Sequence, residues 1–410
     1  MPLSDASGTS ERRWAVPTLL SFQGTTMNLN RRAMLWATAG GILAPRLAWA
    51  KEAASAAGLL APYIDKNEVA GIVALVVDKS GVRSADVAGM ADRETGRAMT
   101  RDSLFWIASM TKPITAVGVM TLVDEGKLSL DDPVEKYLPE FKTQHVVAET
   151  SGDRVVLKKP AHPVTVRETL CHISGMPFKS AVEEPTLDGL PLATAIRSYA
   201  MTPLATEPGT KFQYSNAGIN AAARVAEVIS GQPHHEFMQK RVFGPLGMSE
   251  TTYWPSASQL ERLAMSYRPN EAKDNLVEFK IPFLTYPLSN QTNRFAMPAG
   301  GLFSTADDVG RFCRMMLNRG EFEGKRILSE AAVAEMTKRQ TPDNLKENWG
   351  IGFTRGEDWF GHGGAHATNM EVHTGRQLAV VWMVQHGGFV GNGGQAQGQY
   401  KAWAGKTFAQ

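Results

Sequence analysis

Past the first fifty residues, hydrophobic positions follow two rhythms. Toward both ends they gather in short β-branched runs, and between those ends they recur every three or four residues. Gly71 to Val77 is a β-branched run, Asp78-Lys79-Ser80-Gly81 makes a turn, and Val82 to Ala88 returns, which predicts a hairpin. Three more strands are predicted over Gly350 to Thr354, Asn369 to His373 and Leu378 to Gln385, with Thr374-Gly375-Arg376 as a turn. The middle reads as helices over Ile114 to Glu125, Val166 to His172, Gly218 to Ile229, His235 to Arg241 and Ala306 to Leu317. A last helix is expected from about Gln397 to Phe408. The stretches 142–162 and 268–297 carry no readable rhythm and are taken as loops.

Strands at both ends with helices between them predict an α+β fold. An α/β lobe, an antiparallel sheet flanked by helices, is expected from about residues 51–100 and 345–410, and a mostly helical lobe from about 101–344. The crevice between two such lobes is a natural substrate site. Residues 391–398 are Gly-rich, but no βαβ unit surrounds them, so they read as a loop rather than a dinucleotide fingerprint.

Residues 1–50 stand apart as an N-terminal extension and signal peptide. Paired arginines, Arg31 and Arg32, precede an apolar stretch from Ala33 to Leu47 that ends in Ala48-Trp49-Ala50, a small-x-small cleavage pattern. Pro45 and Arg46 interrupt this stretch, which is too short to span a bilayer. Export to the periplasm or medium is expected; the arginine pair resembles a twin-arginine signal, and Met27 is an alternative start.

Composition narrows the function. With 43 basic and 41 acidic residues the net charge is +2, which gives no electrostatic case for nucleic acid or an anionic membrane surface. A small-molecule ester or amide is the expected partner, and the oligomeric state is left open. Cys171 and Cys313 sit in apolar helical patterns and read as buried thiols, not a disulfide framework. No cofactor signal is present, and no His-Glu-x-x-His motif, so no metal is expected. The pair His234-His235 reads as solvated, and Asp307-Asp308 as N-terminal helix charge.

The candidate chemistry starts at Ser109-Met110-Thr111-Lys112, where an apolar extended segment runs into a helix. Residues three apart meet on one helical face, so Lys112 can reach the Ser109 hydroxyl. Serine needs a base to become a nucleophile, and a lysine desolvated among Trp106, Ile107, Met110 and Ile114 can supply one. Alone, a Ser-x-x-Lys is expected about once by chance in a chain this long. A second element, Tyr214-Ser215-Asn216, precedes a helical pattern: a tyrosine near a lysine can hold a lowered pKa and act as a base, and Asn216 can meet a substrate carbonyl or orient Lys112. A third, His362-Gly363-Gly364-Ala365, lies on the C-terminal sheet, where a backbone N–H together with that of Ser109 can form an oxyanion hole.

With those residues in that order, the chain resembles the serine β-lactamase and penicillin-binding-protein superfamily, and within it class C β-lactamases and family VIII carboxylesterases. The similarity is carried by Leu104 to Phe141, Thr165 to Pro177, Phe243 to Met248 and Ala299 to Thr305, and it spans about residues 60–385. It implies that Ser109 is acylated, that Lys112 and Tyr214 share the base and acid work, that Asn216 assists positioning, and that the N–H groups of Ser109 and Ala365 hold the oxyanion. One departure matters: where the family's β-lactamases carry Lys-Thr-Gly, this chain has His362-Gly363-Gly364. A histidine near its ordinary pKa is only partly charged at pH 7. Loss of the fixed cation shifts the expected activity to a carboxylesterase on small acyl esters. The alternatives are a class C-like β-lactamase, a D-amino-acid peptidase, or a non-hydrolysing acyl-binding sensor.

Overall fold

In a computed structural model the described residues are 54–408, so the expected export signal lies outside them. The two ends of the described chain meet in one seven-stranded antiparallel sheet, in the order Thr354–Arg355, Trp359–Gly363, Asn369–His373, Leu378–Met383, Gly71–Asp78, Val82–Asp92, Arg97–Ala98. The central pairing sets Val73 opposite Met383 and Asp78 opposite Leu378. Side chains alternate across a strand, so Gly71–Asp78 sends Val73, Leu75 and Val77 to one face and Ile72, Ala74 and Val76 to the other. Helices Ala57–Asp65 and Ala396–Phe408 cover the second face. Helix Ala306–Leu317 and the helical region cover the first. Both faces are buried, which is why this strand reads as an unbroken apolar run.

Helix Ala306–Leu317 and strand Asn369–His373 have the expected bounds. The expected strand over Gly350 to Thr354 does not form: only Thr354–Arg355 pairs. Gly352 has φ +75°, and its N–H donates to the Leu170 carbonyl at 3.0 Å. That left-handed residue ends any extended run and brings the backbone against the helical region; a Cβ there would lie 2.7 Å from that of Ala116. The two expected loops also contain structure. Residues 142–162 hold a hairpin, Val146–Ser151 with Arg154–Lys158, and residues 268–297 begin within a short one, Tyr267–Pro269 with Leu276–Glu278. His234 is buried rather than solvated, its ring against the Tyr253 hydroxyl at 2.8 Å. Among the described residues no helix is long and apolar enough to cross a membrane.

The rest of the second stretch is held by an ion pair no local pattern announces. Arg294 Nε donates to Asp188 Oδ2 at 2.6 Å, with the two side chains 1% and 0% exposed. Asp188 Oδ1 accepts the Thr285 N–H at 2.8 Å, and Arg294 also donates to the Leu288 carbonyl. The pair therefore ties Asp188 to residues 285–294. Arg294→Met is expected to cost about 3–5 kcal/mol, because it strands a buried carboxylate. Urea unfolding measures this, and Arg294→Met with Asp188→Leu should recover most of the loss.

Candidate active site

The segment before the nucleophile is extended, with Phe105–Trp106 paired to Phe303–Ser304. It turns through the short 3-10 helix Ala108–Met110 into helix Thr111–Asp124. Ala108 has φ +46°, a strained conformation for a residue with a Cβ, of the kind that clusters where a site over-determines the backbone. From Ser103 to Leu122 every residue is buried except Ser109, which is partly exposed. A helix buried all round is core, so Ser109 is the one group of this segment offered to solvent.

Lys112 Nζ lies 3.0 Å from Ser109 Oγ and donates to the Ala299 carbonyl at 2.7 Å. Its side chain is fully buried, and desolvation holds its pKa far below the usual lysine range. The expected pairing is thus present, with burial as the cause of the shift. The Ala299 carbonyl is a partner that spacing around Ser109 cannot reveal. Its neighbours are held as well: Thr115 donates to the Pro298 carbonyl and the Trp106 indole to that of Gly300, each at 2.8 Å.

Tyr214 stands beside this pair, with Lys112 Nζ 4.7 Å from its ring centroid. The phenol does not have the lowered pKa expected of it. Burial pushes it up, and its contact with Ser109 opposes this only in part. Its turn is pinned from behind by His172, whose carbonyl accepts the Gln213 N–H at 2.7 Å and whose Nδ1 accepts the Ser215 N–H at 3.1 Å. The rings of His172 and Tyr214 are 4.5 Å apart. Desolvation keeps His172 well below the ordinary histidine range, so it is a neutral acceptor. The sequence pattern places His172 at the end of a helix that stops at Leu170, and its contact with Tyr214 is tertiary.

Helix Asn216–Ser230 is capped by Ser215, whose Oγ accepts the Gly218 N–H at 2.9 Å. Asn216 is the first helical residue. Its N–H donates to the Phe178 carbonyl at 3.1 Å, while its buried Oδ1 has no partner among the described residues. Of its two expected roles, a hydrogen bond orienting Lys112 is not formed, and the Oδ1 acceptor is left unpaired among the described residues.

His362 also departs from expectation. It is 5% exposed, and desolvation brings its pKa down to about 3. It is neutral at pH 7, not partly charged. Its Nδ1 lies 2.7 Å from the Gly363 carbonyl, which places the proton there. Nε2 is then an acceptor, 3.4 Å from the Tyr214 hydroxyl. Trp349 packs against both, with ring centroids 5.8 Å from Tyr214 and 5.5 Å from His362.

The turn after His362 docks against the nucleophile segment. Gly364 donates to the Thr368 carbonyl at 2.7 Å, and a Cβ on it would meet the Ile107 carbonyl oxygen at 2.6 Å. Gln385 Nε2 donates to the Trp106 carbonyl at 2.8 Å from the same side. Gly363 and Ala365 are exposed, and no hydrogen bond engages the Ala365 N–H among the described residues. Cys171 and Cys313 are buried, with both thiols pushed up by desolvation.

An amine whose pKa is strongly depressed beside a serine hydroxyl, a protonated phenol and a free backbone N–H can together perform acyl transfer without a metal. Comparison with known proteins gives the same direction. The Beta-lactamase family profile matches residues 56–398. Penicillin-binding protein 4 of Amycolatopsis lactamdurans is 31% identical, over 79% of this chain and 81% of its own. Esterase EstB of Burkholderia gladioli is 31% identical, over 64% and 71%. Among solved structures, EstCE1, a hydrolase with promiscuous acyltransferase activity, superposes with a TM-score of 0.71 at 23% identity, covering 85% of this chain and 96% of that one. That likeness shows a shared fold.

Proposed function

This chain belongs to the β-lactamase family, a family of serine hydrolases, and on that premise we propose that it is a carboxylesterase working through an acyl-enzyme on Ser109. The observation that carries the choice of ester is the neutral His362, held down to about 3, where β-lactamases of the family have a lysine. A β-lactam or D-peptide carboxylate gains little from an uncharged imidazole, whereas an uncharged ester needs no such partner. An esterase among the relatives supports the same reading.

In this reading Lys112 takes the Ser109 proton as Oγ attacks the ester carbonyl. The N–H groups of Ser109 and Ala365 receive the oxyanion. Lys112, now an ammonium, lies over the Tyr214 ring and lowers the phenol's proton affinity at that moment. Tyr214 therefore gives its proton to the leaving alkoxide and is reprotonated by Lys112. Water then attacks the acyl-enzyme, its proton passing back through the same pair, and the free acid leaves. Export, which rests on residues 30–50 alone, belongs to the same proposal.

p-Nitrophenyl acetate or butyrate and nitrocefin, assayed in parallel against a Ser109→Ala control, test the proposal. Ester turnover is expected to exceed nitrocefin turnover. The reverse order makes the protein a β-lactamase, and an acyl adduct that persists in mass spectra makes it a sensor.

A further inference from the structure

Lys112 stands at the end of a buried hydrogen-bond relay that starts well away from Ser109. The Tyr199 hydroxyl donates to Glu183 Oε1 at 2.5 Å. The Tyr199 oxygen accepts from Asn220 Nδ2 at 3.0 Å, and Asn220 Oδ1 accepts the Ala299 N–H at 3.1 Å. The Ala299 carbonyl in turn receives Lys112 Nζ at 2.7 Å. Glu183 and Asn220 are each 3% exposed, and Tyr199, Ala299 and Lys112 are wholly buried.

The directions of these bonds are set from the Glu183 end. Glu183 Oε2 accepts both the N–H and the hydroxyl of Ser180, at 2.7 and 3.2 Å, so every partner of this carboxylate is a donor. Tyr199 therefore spends its only proton on Glu183 and offers Asn220 a lone pair. That turns the Asn220 amide so that its oxygen faces Ala299. A neutral lysine has two N–H bonds and one lone pair. With one N–H committed to the Ala299 carbonyl, the lone pair is free to face Ser109 Oγ.

We propose that Glu183, Tyr199 and Asn220 are positioning residues for the lysine base, holding Ala299 where its carbonyl aims the Lys112 lone pair at Ser109. None of the three touches Ser109, and their effect passes through Lys112. The inference rests on the reading of Lys112 as the base.

Two-step labelling by a fluorophosphonate probe tests it, because kinact reports activation of Ser109 and KI reports binding. Tyr199→Phe removes one oxygen and keeps the ring. It is expected to lower kinact about 10- to 100-fold with KI unchanged, the scale on which misplacing a catalytic group acts. Asn220→Leu, a second route to the same break, should act alike. In a Lys112→Ala background neither change should lower the residual labelling further, since two residues acting through one group are not additive. Wild-type kinact in a folded Tyr199→Phe or Asn220→Leu variant overturns the proposal. So does an equal loss in the Lys112→Ala background, which would mark the relay as general core support. If Lys112→Ala itself labels at the wild-type rate, the assignment of the base has failed instead.

Discussion

Ser109→Ala is expected to reduce ester turnover by about 10⁴-fold or more and to abolish covalent labelling, the scale seen when a nucleophile is removed from a working set. The geometry leaves no substitute. Ser109 is the only partly exposed residue between Ser103 and Leu122, and its Oγ is the hydroxyl 3.0 Å from the buried amine. Cys171 and Cys313 are buried with raised pKa values, so neither thiol can take over. Loss of one oxygen from a partly exposed side chain should leave the fold intact. Intact-mass spectra after fluorophosphonate treatment and p-nitrophenyl ester kinetics read the two effects. Retained labelling of the variant would move the nucleophile elsewhere.

Lys112→Met is expected to cost about 10²–10⁴-fold in turnover, the range for loss of a general base. Its effect on stability should carry a sign that separates catalysis from folding. In the folded protein desolvation depresses the Lys112 pKa, while the unfolded chain has a lysine near 10.4. Between those two values the unfolded state binds the extra proton, so this group destabilises the fold, and the penalty fades as pH rises toward 10.4. Methionine carries no such penalty. Relative to wild type, the variant should therefore be most favoured at the acid end of that window and lose its advantage toward alkaline pH. Thermal midpoints of both proteins from pH 6 to 10 measure the trend. A difference that stays flat across this range would mean Lys112 is charged in the fold. A lysine base also implies that turnover falls as pH drops through its depressed pKa.

Much of this was visible along the chain because it is local. Helix Ala306–Leu317 announces itself with Thr305, whose side chain accepts the Asp308 N–H, and with Asp307 in its first turn. Ser109 and Lys112 are three residues apart at a helix start, and helical geometry brings them together whatever surrounds them. The β-branched runs at both ends identified the central strands, since such side chains suit a sheet covered on both faces. The misreadings have local causes too. Gly350 to Thr354 looks extended until Gly352 takes a left-handed turn, and two silent stretches hide short hairpins.

What the order of residues could establish was the fold class, the succession of elements and the meeting of Ser109 with Lys112, because each depends on neighbours a few positions apart. The charge states at the site depend on burial, and burial is made by segments far apart in the chain. The Lys112 pKa is pulled far down by a core built from residues on both sides of it, His362 is held neutral rather than partly charged, and Tyr214 keeps its proton. The carbonyl that anchors the lysine comes from Ala299, and the His172 ring that steadies Tyr214 comes from a separate turn. Desolvation and long-range hydrogen bonds have no period along a sequence, so they emerge only when the chain has closed on itself.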